Sequence, residues 1–182
     1  LVGSEMCIRD RSYITSHDDG SPFDKDRQNP WDAGTRLLLA PGISQIYYGD
    51  ETARPLEVEG VDGDANLRSN MNWEDIKPNS ETESLLNHYQ KLGQFRRSHP
   101  AVGAGNQTDL QNSPYIFTRK YKTDEVVIGL EMPIGKNTIN VSSVWKDGTK
   151  VRDAYSGFSG KVVNGNLELN TTFDIVLLEK VN

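Results

Sequence analysis

Cysteine is missing from residues 12–182 of this 182-residue chain; the single one, Cys7, stands in an unusual N-terminal segment. Disulfides, thiolate nucleophiles and cysteine metal sites are therefore excluded beyond that segment. Runs rich in lysine and arginine are missing too, and 20 basic against 26 acidic residues leave a formal net charge of −6. That balance excludes a surface built for nucleic acid or an anionic membrane. The apolar runs Leu37–Ala40 and Ile175–Leu178 fall far short of the roughly 20 residues that span a bilayer. Internal repeats and low-complexity tracts are absent. The length is also too small for a complete eight-stranded βα barrel, which takes about 250 residues. What remains is a hydrophobic fraction of 35%, enough for a core in one ordinary domain or two small ones.

Residues 1–11, Leu1-Val2-Gly3-Ser4-Glu5-Met6-Cys7-Ile8-Arg9-Asp10-Arg11, have no helical or strand period and no signal-peptide apolar run. They resemble the in-frame translation of a transposase adapter used in sequencing libraries. The expectation is a non-native leader joined to a coding sequence cut at this point, with the parent's own N-terminus upstream. Its charges cancel, so residues 12–182 keep the balance of −6.

Ser12-Tyr13-Ile14-Thr15-Ser16 reads as a strand that ends in His17-Asp18, followed by the turn cluster Asp19-Gly20-Ser21-Pro22. Asn29-Pro30-Trp31-Asp32 carries an N-cap residue, proline at the first helical position and an acid in the first turn. That helix runs to about Ala40 and stops at Pro41-Gly42. Ile43–Tyr48 is a second strand ending in Gly49-Asp50-Glu51. Strand, helix, strand at this spacing predicts a βαβ unit with parallel strands. Residues 52–79 are a long loop. Ser80 with Glu83 forms a capping box for a helix whose apolar face is Leu85, Leu86, Tyr89, Leu92 and Phe95. Pro100 ends it.

From about residue 107 the period changes to short strands: 115–117, 126–130, 138–141, 151–155, 161–163, 167–169 and 175–178. Turn signals separate them, and Asn164-Gly165 predicts a type I′ hairpin. The pattern predicts an antiparallel sandwich.

Tyr13-Ile14-Thr15-Ser16-His17-Asp18 resembles the fourth signature region of the α-amylase family of glycoside hydrolases (family 13). Residues 41–51 are similar to that family's last barrel strand and its following loop. Asn66–Trp73 is similar to an Arg…Met-x-Trp segment, and Leu92–Ala101 to the final barrel helix. These segments stand in family order over residues 12–182. The resemblance implies α/β plus all-β architecture: 12–106 as the last two βα units of a TIM (β/α)8 barrel, then 107–182 as the C-terminal β-sandwich.

The resemblance also implies retaining chemistry at α-glucosidic bonds, with an α-glucan or maltooligosaccharide as substrate. Such chemistry needs a nucleophilic carboxylate and a proton-donating one about 5–5.5 Å apart. The family carries both on earlier strands, so this segment alone is expected to be inactive. Asp18 matches a third carboxylate, the transition-state stabiliser, and His17 matches a sugar-hydroxyl contact. Ser16 stands where the family usually has asparagine, so no role is carried over to it. Asp19 reads as a turn former, and Asp50 and Glu51 as loop residues instead of the catalytic pair. No cofactor or metal is expected in this segment; for the intact parent the resemblance leaves calcium open. The sequence leaves localisation open; the resemblance is compatible with a secreted or periplasmic parent.

Other groups have plainer readings. His88, on the exposed or flanking side of its helix, and His99, near its end, are expected to be structural. Asp62-Gly63-Asp64-Ala65-Asn66 has the alternation of a calcium-loop start without the later bidentate Glu, and is read as a solvated loop. Trp73, Tyr47 and Tyr48 are read as core aromatics rather than sugar platforms. Two rival functions remain: a non-enzymatic amylase-like interaction domain, and a carbohydrate-binding sandwich module. The histidine and carboxylate at the barrel mouth favour the enzyme over the first.

Overall fold

A computed structural model describes residues 11–181; residues 1–10 of the leader-like segment 1–11, with Cys7, and Asn182 lie outside the described residues, while Arg11, the last residue of that segment, is in a strand. The chain forms two compact units, divided between Gln94 and Phe95.

In the first unit, β1 (Arg11–Ser12) and β2 (Ile43–Ser44) pair in parallel, Arg11 against Ile43 and Ser12 against Ser44. Helix α1 (Pro30–Leu39) connects them, so the expected βαβ unit is present. Its strands are much shorter than the runs 12–16 and 43–48. Each has one ladder neighbour, and the backbone beyond finds other partners: Phe23 N–H donates to the Ile14 carbonyl at 2.8 Å. Pro30 opens α1 as expected, but Asn29 makes no side-chain cap. Asp24 instead fixes the residues that lead into the helix, its Oδ1 accepting from the amides of Gln28 at 2.7 Å and Asn29 at 3.0 Å. Ala40 is extended, as a residue before proline must be.

Helix α2 (Glu81–Ser98) starts at the predicted box. Ser80 Oγ accepts from Glu83 N–H at 3.0 Å, while the Glu83 carboxylate accepts from Asn79 N–H at 2.7 Å instead of closing on Ser80. Leu85, Tyr89 and Leu92 are buried on one face. His88 corrects the expectation of an exposed or flanking position. It is 4% exposed, because three residues past Leu85 is the same helix face. Its Nε2 lies 3.0 Å from Thr35 Oγ1 and 3.2 Å from the Trp31 carbonyl oxygen.

The second unit begins with the last turn of α2 and with α3 (Pro100–Ala104). Eight strands follow: β3 (Asn106–Asn112), β4 (Tyr115–Tyr121), β5 (Asp124–Leu130), β6 (Gly135–Asn140), β7 (Lys150–Asp153), β8 (Ser159–Lys161), β9 (Asn166–Thr171) and β10 (Ile175–Lys180). Six make an antiparallel sheet in the order β3-β4-β5-β10-β7-β8, and β6 pairs with β9 in a second sheet. Ile139, Leu167 and Leu169 of the small sheet share one buried cluster with Ile116, Val127, Val151, Val176 and Leu178 of the large one. β7 and β9 alternate inward and outward residues around this layer, whereas β4, β5 and β10 each bury four residues in a row.

Strand β3 was not expected from the sequence. Its residues are polar and exposed apart from half-buried Leu110, so no apolar alternation betrays it. It is the outermost strand of its sheet, where polar residues are tolerated. The Asn164-Gly165 hairpin forms as predicted, with φ of +50° and +73° and Val163 bridged to Asn166. The Asp147 carboxylate accepts from both turn amides, at 3.0 and 2.7 Å.

Leu178 has no exposure and stands on β10, between β5 and β7. Leu178→Ala is expected to lower the unfolding free energy of the sandwich by about 3 kcal/mol. Urea denaturation followed by tryptophan fluorescence measures it.

Candidate active site

His17 and Asp18 stand in the exposed turn that follows β1. The residues before them are anchored. Ile14 is buried against Ala33 and Leu37 of α1. Thr15 has no exposure, and its hydroxyl donates to Asp50 Oδ1. The chain thus delivers two polar side chains from a fixed base. Both are 63% exposed, with His17 Nε2 3.6 Å from Asp18 Oδ2. Ser16 Oγ donates to Asp18 Oδ1 at 3.0 Å. Arg68 Nε, from the long loop, donates to the His17 carbonyl oxygen at 3.1 Å. Asp19 Oδ1 accepts from Ser21 N–H at 3.0 Å, an Asx turn of the kind its position suggested.

Asp50 is fully buried and accepts from Thr15, from Arg27 Nη2 at 3.0 Å and from Tyr47 N–H at 3.2 Å. Burial pushes its carboxyl above the usual range, and the hydrogen bonds from Thr15, Arg27 and Tyr47 offset only part of that. Glu51 Oε2 accepts from Gly49 N–H at 3.0 Å. Glu51 binds its own loop, while Asp50 ties that loop to Thr15 and Arg27.

Arg54 was missed by the sequence reading. It has no exposure, and it ties three stretches of loop together. Its Nε donates to the Tyr48 carbonyl at 3.2 Å and its Nη2 to the Leu67 carbonyl at 3.0 Å; Nη1 binds Ser69 Oγ. The guanidinium also lies 4.3 Å from the centroid of the Tyr48 ring, a cation–π contact. Gly49 has φ of +89°, and a Cβ there would come within 2.5 Å of Arg54 Nε. That glycine is the only sequence signal for Arg54, and it does not say which residue comes close.

Trp73 and Tyr48 correct the expectation of core aromatics, being 69% and 39% exposed. The hydroxyls explain the two tyrosines: Tyr47 donates to the Leu67 carbonyl at 3.1 Å and Tyr48 to the Ser69 carbonyl at 2.9 Å. A phenol that anchors a loop keeps its ring near the surface. Among the described residues, no group of three or more His, Cys, Asp and Glu side chains is arranged to hold a metal ion. The 62–66 stretch, expected as a loop, winds into a short 3-10 helix over Gly63–Arg68, and its Asn66 is engaged with the backbone, accepting from Val58 N–H at 2.7 Å and donating to the Val61 carbonyl at 2.8 Å. Among the described residues no helix is long and apolar enough to cross a membrane.

No family model matches the chain. Over 118 residues it is 42% identical to the periplasmic α-amylase of Escherichia coli K12, a match covering 64% of this chain and 17% of that protein. The chain is similar to an α-amylase. It spans less than a fifth of the length of that curated relative.

Solved α-amylases share its fold. The enzyme of Geobacillus thermoleovorans complexed with acarbose matches with a TM-score of 0.68 and 20% identity, over 94% of this chain and 39% of that one. An Anoxybacillus α-amylase gives 0.64 and 22%, over 94% and 38%. A Nostoc punctiforme debranching enzyme gives 0.64 and 21%, over 98% and 37%.

The raised carboxyl of Asp50 sets a sign. From about pH 4 upward the unfolded chain has lost this proton while the folded chain still holds it, so stability falls as pH rises through that window and levels off above it. Asp50→Asn removes the contribution. The variant's stability relative to wild type is expected to rise across that window in urea titrations from acid to neutral pH. A constant difference contradicts the assignment.

Proposed function

We propose that this chain supplies the end of the catalytic barrel and the following β-sandwich of an α-amylase-type retaining glycoside hydrolase. The carrying observation is His17-Asp18, exposed together in the turn that the chain reaches after the parallel strand β1 ends at Ser12 and residues 13–16 intervene, in a chain similar in sequence to an α-amylase. Barrels of this kind place their chemistry at the C-terminal end of the strands. Tyr13, Ile43 and Ile46 are 49%, 53% and 44% exposed around the β1–β2 pair. Parallel strands normally have both faces covered, so this exposed apolar surface suits strands that belong to a larger barrel.

In this reading Asp18 is the transition-state stabiliser. Bond cleavage at an α-glucoside develops positive charge on the sugar ring, and a fixed carboxylate beside it lowers the barrier, more so once water is excluded. Ser16 and Arg68 hold the turn from two sides, so little reorganisation is needed when charge appears. His17 contacts a sugar hydroxyl beside the scissile bond. The nucleophile and the proton donor come from other strands of the parent, so the chain alone is inactive. The substrate is an α-glucan or maltooligosaccharide, in keeping with solved neighbours holding maltose, maltotriose or acarbose. A periplasmic or secreted parent fits the curated relative's name.

Two measurements test this. The purified chain is expected to release no reducing sugar from starch or maltooligosaccharides. In a longer protein carrying this segment, Asp18→Asn is expected to lower kcat at least about 100-fold, with Asp19→Asn close to wild type. Turnover by the chain alone, or equal effects of the two substitutions, overturns the reading.

A further inference from the structure

The second unit contains a charge cluster that the proposed chemistry does not use. His99 follows α2 and precedes α3, and its side chain is 14% exposed. Both ring nitrogens face carboxylates: Nδ1 lies 2.8 Å from Asp124 Oδ1 on β5, and Nε2 lies 2.6 Å from Glu179 Oε2 on β10. Asp124 Oδ2 also accepts from Ala101 N–H at 2.8 Å, capping the start of α3. Glu179 Oε1 accepts from Arg152 Nε of β7 at 2.7 Å. From α2 itself the Phe95 ring packs on the imidazole at 4.8 Å between centroids, and it brings no charge.

Two carboxylates and one guanidinium leave one negative charge unbalanced, and an imidazolium cancels it. Only the imidazolium can donate from both nitrogens; a neutral ring donates from one and turns a lone pair toward the other carboxylate. Burial alone would raise the Glu179 carboxyl, but hydrogen bonds from His99 and Arg152 outweigh it and hold this group below the usual range. Glu179 therefore stays an anion that requires a donor opposite.

We propose that His99 is a proton-operated clasp, which as imidazolium pins the α2–α3 junction to β5 and β10 and which releases one of those contacts when the ring loses its proton. The sign follows from the geometry. Protonation of the ring opposite two ionised carboxylates closes the clasp, so the junction loosens as pH rises and the ring gives up that proton. Loosening is confined to the elements His99 touches, and the hydrophobic layer of the sandwich is unaffected.

The test uses hydrogen exchange on the full 182-residue chain. The Val102 amide donates to the His99 carbonyl at 3.0 Å, and the Gly105 amide to Ala101 at 2.9 Å, so both report on the junction. After correction for the intrinsic rate, their exchange is expected to be about tenfold faster at about pH 9 than at about pH 6. Core amides such as Val127 are expected to stay constant. His99→Gln is expected to abolish the difference, and nitrogen-resolved NMR of the wild-type ring is expected to show both nitrogens protonated at the lower pH. Should His99→Gln fail to fold, Glu179→Gln removes one facing charge and is expected to move the loosening to lower pH. Parallel profiles for wild type and His99→Gln, an unmoved profile for Glu179→Gln, or a ring protonated on one nitrogen throughout overturns the proposal.

Discussion

The guanidinium of Arg54 is shut away from water with no carboxylate partner among the described residues, and the first unit's long loop is arranged around it. A buried charge without hydrogen bonds is costly. Here the cost is offset by carbonyl oxygens of Tyr48 and Leu67, by Ser69 and by the face of Tyr48. Those acceptors lie on separate stretches of chain, so satisfying one cation fixes where residues 47–49 and 67–69 meet. Arg68 is thereby delivered to the carbonyl of His17. On the other side Asp50, next to Gly49, holds Thr15 and Arg27. The exposed His17-Asp18 turn is thus supported by buried polar groups more than by apolar packing.

The second unit rests on different physics. Its two sheets close over aliphatic side chains with almost no exposure; alternation along β9 faces them inward, while Ile175–Leu178 of β10 are buried on both faces of the sheet. Non-directional burial sets the layer. The polar cluster around His99 then fastens the short α3 segment to that sheet through directional bonds.

Legibility in the sequence followed this division. Strands with apolar alternation, the capping box at Ser80 and the Asn164-Gly165 turn could be read because each is a local pattern with a local cause. β3 escaped because an outermost strand need not bury either face. β1 and β2 came out shorter than their β-branched runs, since a ladder needs a partner and each has one. His88 and Trp73 were misplaced in opposite directions. Helical spacing from Leu85 carries the histidine inward, while the tryptophan opens a one-turn helix, Trp73–Asp75, in a polar loop that leaves its ring in water.

By itself the sequence determined the βαβ order, the run of antiparallel strands and the resemblance that singled out His17 and Asp18, because these lie in contiguous residues and their periods. The tertiary structure alone decided that Arg54 is buried, that Asp50 reaches Thr15 across 35 positions, and that His99 sits between carboxylates 25 and 80 positions away. Such partners are chosen by where the folded chain leaves unpaired donors and acceptors, and nothing in a local window of residues records that choice.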